Sequence, residues 1–139
     1  MAVLLVEDDT MVRLTLADFF EIAGLTFLEA RNAEEALAII DDPTQAINVL
    51  VTDLDLGPGD DGLALAIKAR QRRPDLLVVY ETGTPEMFAG HAFGPWEKVF
   101  YKPYNPRDLA ATVVALNSQG RLGRCPQRPA AMKTVASSL

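Results

Sequence analysis

Five positions carry groups that could act together: Glu7, Asp8, Asp53, Thr82 and Lys102. They are far apart in the chain, yet each follows a short apolar run. Val3–Val6 leads into Glu7-Asp8-Asp9, Ile47–Thr52 into Asp53, Leu76–Tyr80 into Glu81-Thr82-Gly83, and Lys98–Tyr101 into Lys102-Pro103. Runs this short, apolar, rich in β-branched residues and bounded by Gly, Pro and Asp, read as strands buried on both faces. One acidic residue at a strand end is ordinary turn chemistry. The recurrence at four strand ends is a different pattern, because an open parallel sheet binds ligands outside the carboxyl ends of its strands. If the first and third strands are neighbours, three carboxylates meet in one crevice, where they must take up protons or hold a cation. A few hard oxygen ligands suit Mg²⁺, which keeps several of its waters.

Helical stretches alternate with these strands. Asp9 or Thr10 can cap a first helix carrying Val12, Leu16, Phe19, Phe20 and Ala23 on one face, and Gly24 stops it. Leu25–Glu29 reads as the second strand, whose end Glu29-Ala30-Arg31 receives no function. Asn32 caps the second helix, with Glu35 able to reach back and Ala33, Ala36, Leu37 and Ile40 inward. A third helix spans about 62–73 with Leu63, Ala66 and Ile67 inward. A short fourth is expected over 85–92, where Gly90, Gly94 and Pro95 limit its length. Asn105 caps the last helix, Pro106 takes its first position, and Leu109, Thr112, Val113 and Leu116 line one face. Five alternations of strand and helix specify an α/β fold with a parallel sheet covered on both faces.

The chain has 139 residues, 49% of them hydrophobic and 23% charged, enough for one domain with a real core. Residues 1–117 are expected to form that domain and 118–139 a flexible tail. The tail holds Arg121, Arg124, Arg128 and Lys133 and no acid, which leaves 9 basic and 19 acidic residues in the rest. A body this acidic repels nucleic-acid phosphates, so no DNA partner is expected. The single cysteine, Cys125, allows no intrachain disulfide. The apolar opening is cut short by Glu7-Asp8-Asp9 and reads as neither signal peptide nor membrane span, so a cytoplasmic location is expected.

Val6-Glu7-Asp8-Asp9, Thr52-Asp53-Leu54-Asp55, Thr82-Gly83 and Tyr101-Lys102-Pro103, each at a strand end, together resemble the receiver domain of bacterial response regulators over residues 1–117. The resemblance implies a doubly wound, flavodoxin-like sheet of order 2-1-3-4-5. It implies that Asp53 accepts a phosphoryl group from a phosphohistidine on a histidine kinase or phosphotransfer protein. Asp8, Asp53 and the backbone carbonyl of Asp55 would bind Mg²⁺ directly, and Glu7 through a metal-bound water. Thr82 would donate its hydroxyl to a phosphoryl oxygen, Lys102 would neutralise another, and the Lys102–Pro103 bond would be cis. Such a chemistry needs one nucleophile, one Mg²⁺, one hydroxyl and one ammonium, because phosphoryl transfer is mainly positioning and charge neutralisation.

Some positions depart from the family pattern. Gly57 is one extra residue in the loop after Asp53, Val99 stands where an aromatic switch residue is usual, and Asp55 and Glu81 add carboxylates near the site. Only 22 residues follow Asn117, too few for an output domain, so a stand-alone receiver signalling to a downstream protein by contact, and not an enzyme, is expected. The rival reading is a haloacid-dehalogenase-like phosphatase using Asp53 as nucleophile and Asp55 as general acid, although that family places the motif on its first strand. A flavin-binding module fits less well, since Glu7-Asp8-Asp9-Thr10 would repel a phosphate.

Overall fold

Apolar runs and amphipathic stretches take turns along the chain, and the fold follows that rhythm. The computed structural model describes residues 2–57 and 59–124. In order they form β1 (Ala2–Val6), α1 (Thr10–Ile22), β2 (Phe27–Ala30), α2 (Ala33–Ile40), β3 (Ile47–Asp53), α3 (Gly62–Arg72), β4 (Leu77–Thr82), β5 (Glu97–Tyr101) and α4 (Pro106–Arg124), with a single 3₁₀ turn at Pro85–Phe88. The five strands are all parallel, in the order β2-β1-β3-β4-β5. The winding therefore reverses between β1 and β3, as the doubly wound reading requires.

Every residue of β1 and β3 is buried, so the central strands show no polar alternation. Side chains alternate between two cores. On one face Leu4, Val6, Leu50, Val78 and Tyr80 pack against Ala36 and Ile40 of α2 and Leu65, Ala66 and Ala69 of α3. On the other, Val3, Leu5, Val49, Val51 and Val79 pack against Leu16 and Phe20 of α1 and Leu109, Val113 and Leu116 of α4. Each large side chain so buried contributes about 2 kcal/mol of transfer free energy. Among the described residues no helix is long and apolar enough to cross a membrane.

Local chemistry sets the helix ends. Asp9, not Thr10, caps α1, accepting from the Met11 and Val12 amides at 2.9 and 3.2 Å. Asn32 caps α2 through the Glu35 amide at 2.8 Å, while the Glu35 side chain reaches back to the Arg31 amide, also at 2.8 Å. Asn105 accepts from the Arg107 amide at 2.9 Å.

Several boundaries differ from those read in the sequence. β2 starts at Phe27 and runs to Ala30, because the Leu25 amide still bonds back to the Phe20 carbonyl of α1. β3 and β4 run on through Asp53 and Thr82, so these side chains project from the strands themselves. On α3, Ile67 is 48% exposed and the inward positions are Leu65, Ala66 and Ala69. The helix expected over 85–92 is confined to the 3₁₀ turn. Gly90 takes φ +81°, and the Gly94 amide donates to the Glu97 carboxylate at 2.8 Å, so the chain leaves helical geometry. α4 continues past Asn117 to Arg124; the remainder of the expected tail, with Cys125, lies outside the described residues.

Candidate functional site

Strand register places the acidic groups in a row. Val6 lies opposite Thr52, and Asp53 opposite Glu81, which in turn lies opposite Phe100. Glu7, Asp53 and Glu81 each stand two residues beyond an apolar side chain of the α1–α4 core, namely Leu5, Val51 and Val79. Alternation along a strand then sends all three toward that same face. The rim of the sheet thus continues its apolar rows as a carboxylate row.

Carboxylate oxygens of Glu7, Asp8 and Asp53 lie within 4.8 Å of one another. Lys102, one residue beyond β5, brings its Nζ to 3.0 Å from Asp53 Oδ2. The Asp55 amide donates to the other oxygen, Oδ1, at 3.1 Å. Asp53 is only 5% exposed, so little solvent reaches it. Thr82 is buried, and its hydroxyl oxygen accepts from the Thr84 amide at 2.8 Å, which leaves the hydroxyl hydrogen available to donate. The Lys102–Pro103 peptide is cis.

Burial dominates the electrostatics. Loss of solvent, reinforced by the charges of Glu81 and Asp53 and opposed by the Asp9 amide and Lys102, pushes the Glu7 carboxyl up to about 9. Burial likewise raises Glu81, against the Tyr104 hydroxyl that donates to it at 2.6 Å and the Lys102 charge. Lys102 is drawn down by its own partial burial, but the hydrogen bond and charge of Asp53, with Glu7 and Glu81, outweigh this and raise it. Glu7 Oε1 and Glu81 Oε2 are buried without a hydrogen-bond donor. Orphaned carboxyl oxygens at this depth call for a proton or a cation. The donor set is all oxygen, mostly ionisable and partly open at the exposed Asp8, so it fits a hard divalent cation.

The loop after β3 is held tightly at both ends. Asp61 caps α3 through the Ala64 amide at 2.8 Å, and the Gly62 amide donates to the Leu54 carbonyl at 2.8 Å. A side chain at Gly62 would run into the Asp53 carbonyl oxygen and come within 2.9 Å of Leu54 Cα. Gly57 takes φ +75° and sits beside Asp8, where a Cβ would approach Oδ2 at 3.6 Å.

Of the sequence-derived residues, Glu7, Asp8, Asp53 and Lys102 converge directly. Thr82 follows Glu81 on the neighbouring strand, and Asp55 touches Asp53 through its amide while its side chain is exposed. Val99 is half-buried in the α2–α3 core, Phe100 rests edge-on against Tyr104 at 6.0 Å on the other face, and Tyr101 is 54% exposed. Sequence reasoning missed Tyr104, whose only signal is an aromatic two residues past Lys102. It also missed the buried Glu97, which takes hydrogen bonds from Tyr80 Oη and the Gly94 amide and contacts His91 Nε2, all at 2.8 Å.

Comparison with known proteins agrees with this geometry. The family model "Response regulator receiver domain" matches residues 3–114. The chain is 33% identical over 113 residues to the response regulator receiver protein CpdR of Brucella abortus, covering 77% of this chain and 88% of that one. It is 32% identical over 122 residues to the aerobic respiration control protein ArcA of Escherichia coli strain K12, covering 86% of this chain and 48% of ArcA. The chain thus spans about half the length of that relative. A crystal structure of a CheY-like response regulator receiver domain protein from Methanospirillum hungatei JF-1 superposes with a TM-score of 0.73 at 29% identity, over 88% of this chain and 98% of that one. The carboxylate row, the lysine against its central member and the 2-1-3-4-5 sheet thus have their place: this chain belongs to the response-regulator receiver domains of two-component systems.

Proposed function

We propose that the chain accepts a phosphoryl group on Asp53 from a phosphohistidine of a histidine kinase or phosphotransfer protein, with Mg²⁺, and passes the signal on by protein contact. The observation that carries this reading is the setting of Asp53: buried, flanked by Glu7 and Asp8, and held on its two oxygens by Lys102 and the Asp55 amide. An Asp53 oxygen attacks phosphorus, the phosphorus–nitrogen bond of the donor breaks, and the imidazole leaves with the electron pair. Later attack by water on phosphorus returns the carboxylate and releases inorganic phosphate.

Glu7, Asp8, Asp53 and the Asp55 carbonyl would hold the Mg²⁺, Glu7 through a bound water, and the ion would neutralise charge on the transferring group. Lys102 is poised to move from the carboxylate to a phosphoryl oxygen, and the Thr82 hydroxyl to donate to another. Beside Lys102 an apolar groove of about 400 Å³, lined by Met11, Val12, Leu16, Pro103, Tyr104 and Pro106, gives a donor protein a surface to rest on. The phosphorylated state would shift a two-state equilibrium in the face built from residues 84–117. No observation favours the phosphatase reading: the Asp-x-Asp motif leaves β3 rather than the first strand, and the Asp55 carboxylate is exposed.

Incubation with MgCl₂ and an acyl phosphate should add one phosphoryl group by mass spectrometry, and Asp53→Asn should abolish it. Persistence of the label in that variant would remove Asp53 from its role.

A further inference from the structure

The end of β2 stays outside the site as described above, yet it connects to it through one side chain. Arg13, in the first turns of α1, has its side chain only 13% exposed. Its Nε lies 3.2 Å from Glu29 Oε1, on β2, and its Nη1 donates to the backbone carbonyl of Glu7 at 3.0 Å. We propose that Arg13, oriented by Glu29, is a positioning residue for the Glu7–Asp8 turn and through it for the divalent cation. This rests on the Mg²⁺-dependent reading given above.

Asp8 is the member of the carboxylate group most dependent on its backbone. It is exposed, and no described residue donates a hydrogen bond to its carboxylate. Glu7, by contrast, is fixed by burial and by the Asp9 amide at 3.1 Å, and Asp53 by Lys102. The direction of the Asp8 side chain therefore follows from the peptide plane between Glu7 and Asp8. The Glu7 amide is tied to the Ala30 carbonyl at 3.1 Å, and the Glu7 carbonyl, half of that plane, is tied by Arg13.

These bonds close a ring: β1 to β2 through Ala30, back along β2 to Glu29, across to Arg13, and onto the Glu7 carbonyl. A guanidinium suits this task because its planar fork serves two acceptors in fixed directions, which an ammonium on a flexible stem does not. The positive charge of Arg13 works the other way, since it repels a cation bound nearby. Positioning and charge thus have opposite signs on Mg²⁺ affinity, and the measured sign separates them.

MgCl₂ is titrated calorimetrically into the full chain without any phosphodonor, with melting temperatures recorded in chelator. Arg13→Met is expected to weaken Mg²⁺ binding about tenfold, the lower end of what loss of an outer-shell partner costs a metal site. Arg13→Lys, which keeps the charge and loses the fork, should be weakened similarly. Phosphorylation from an acyl phosphate should regain its wild-type end level at saturating MgCl₂, with only the midpoint displaced. Glu29→Gln should move affinity the same way by a smaller factor, and it carries the test if Arg13→Met does not fold. Unchanged or tighter binding in Arg13→Met, or wild-type affinity in Arg13→Lys, would overturn the proposal. A wild-type chain that binds no Mg²⁺ would instead remove the functional reading itself, an outcome recognised without any Arg13 variant.

Discussion

The Lys102 ammonium lies 3.0 Å from Asp53 Oδ2, joining a side chain 34% exposed to one only 8% exposed. The pair sits among Glu7, Asp8 and Glu81, so the ammonium is the cation that balances the row. Lys102→Met removes it without greatly changing bulk. Asp53 phosphorylation from an acyl phosphate should slow by roughly a hundredfold, as for loss of one charge-stabilising donor. The metal-free domain should lose about 1 kcal/mol, a modest figure because the lysine is partly solvated. Stopped-flow phosphorylation and urea unfolding check the two effects separately.

Glu7 and Glu81 make stability depend on pH in an unusual direction. Their carboxyls are raised by burial, Glu7 to about 9 from an ordinary 4.5. The folded protein therefore holds these protons more tightly than the unfolded chain. The stability they contribute is complete below the ordinary value and is lost as pH rises toward the folded one. The metal-free melting temperature should thus fall from about pH 5 to pH 9, and in Glu81→Leu this fall should be shallower. Added MgCl₂ should raise the melting temperature more at about pH 8 than at about pH 6, because the ion and the protons compete for the same oxygens. A wild-type profile no steeper than that of the variant would count against the buried pair.

Tyr104 donates to Glu81 Oε1 at 2.6 Å and also lines the apolar groove beside Lys102. Tyr104→Phe keeps the ring against Phe100 and deletes the donor. A buried carboxyl that loses its partner costs about 1–3 kcal/mol, read as a lower urea midpoint at unchanged m-value.

Gly62 is required by space rather than by backbone angle. Its Cα faces the Asp53 carbonyl and Leu54, and a methyl there has no room unless α3 or the loop withdraws. Gly62→Ala should cost about 1–3 kcal/mol as overpacking. It should also weaken Mg²⁺ binding, because the Asp53–Asp55 backbone moves with the loop. Calorimetric unfolding and an MgCl₂ titration test both consequences in one preparation.

The parallel sheet is legible in short-range signals, while its strand order, and with it the convergence of the four side chains, follows from the family resemblance. Apolar runs ending at Glu7, Asp53 and Lys102 mark both the strand and its chemically useful end, and the register of a doubly wound sheet does the rest. Side-chain reach across elements left little trace in the sequence. Nothing local to Tyr104 says that its hydroxyl meets Glu81, 23 residues away, and nothing local to Arg13 points to Glu29. The segment after Thr82 misled for a related reason. Its Met, Phe and Ala content favours a helix, but the buried Glu97 carboxylate draws the Gly94 amide and His91 to itself, and that tertiary demand overrides propensity.

That irregular stretch between β4 and β5 has its own aromatic stack, with Tyr80, Phe88 and Phe93 in successive edge contacts at 5.2 and 4.7 Å. Where only one 3₁₀ turn stands, the surface offers no cylinder of regularly spaced side chains. Of the stacked rings only Phe93, 47% exposed, reaches that surface, above the buried Phe88 and Tyr80, so a mould cut for a rod at this position would find no match.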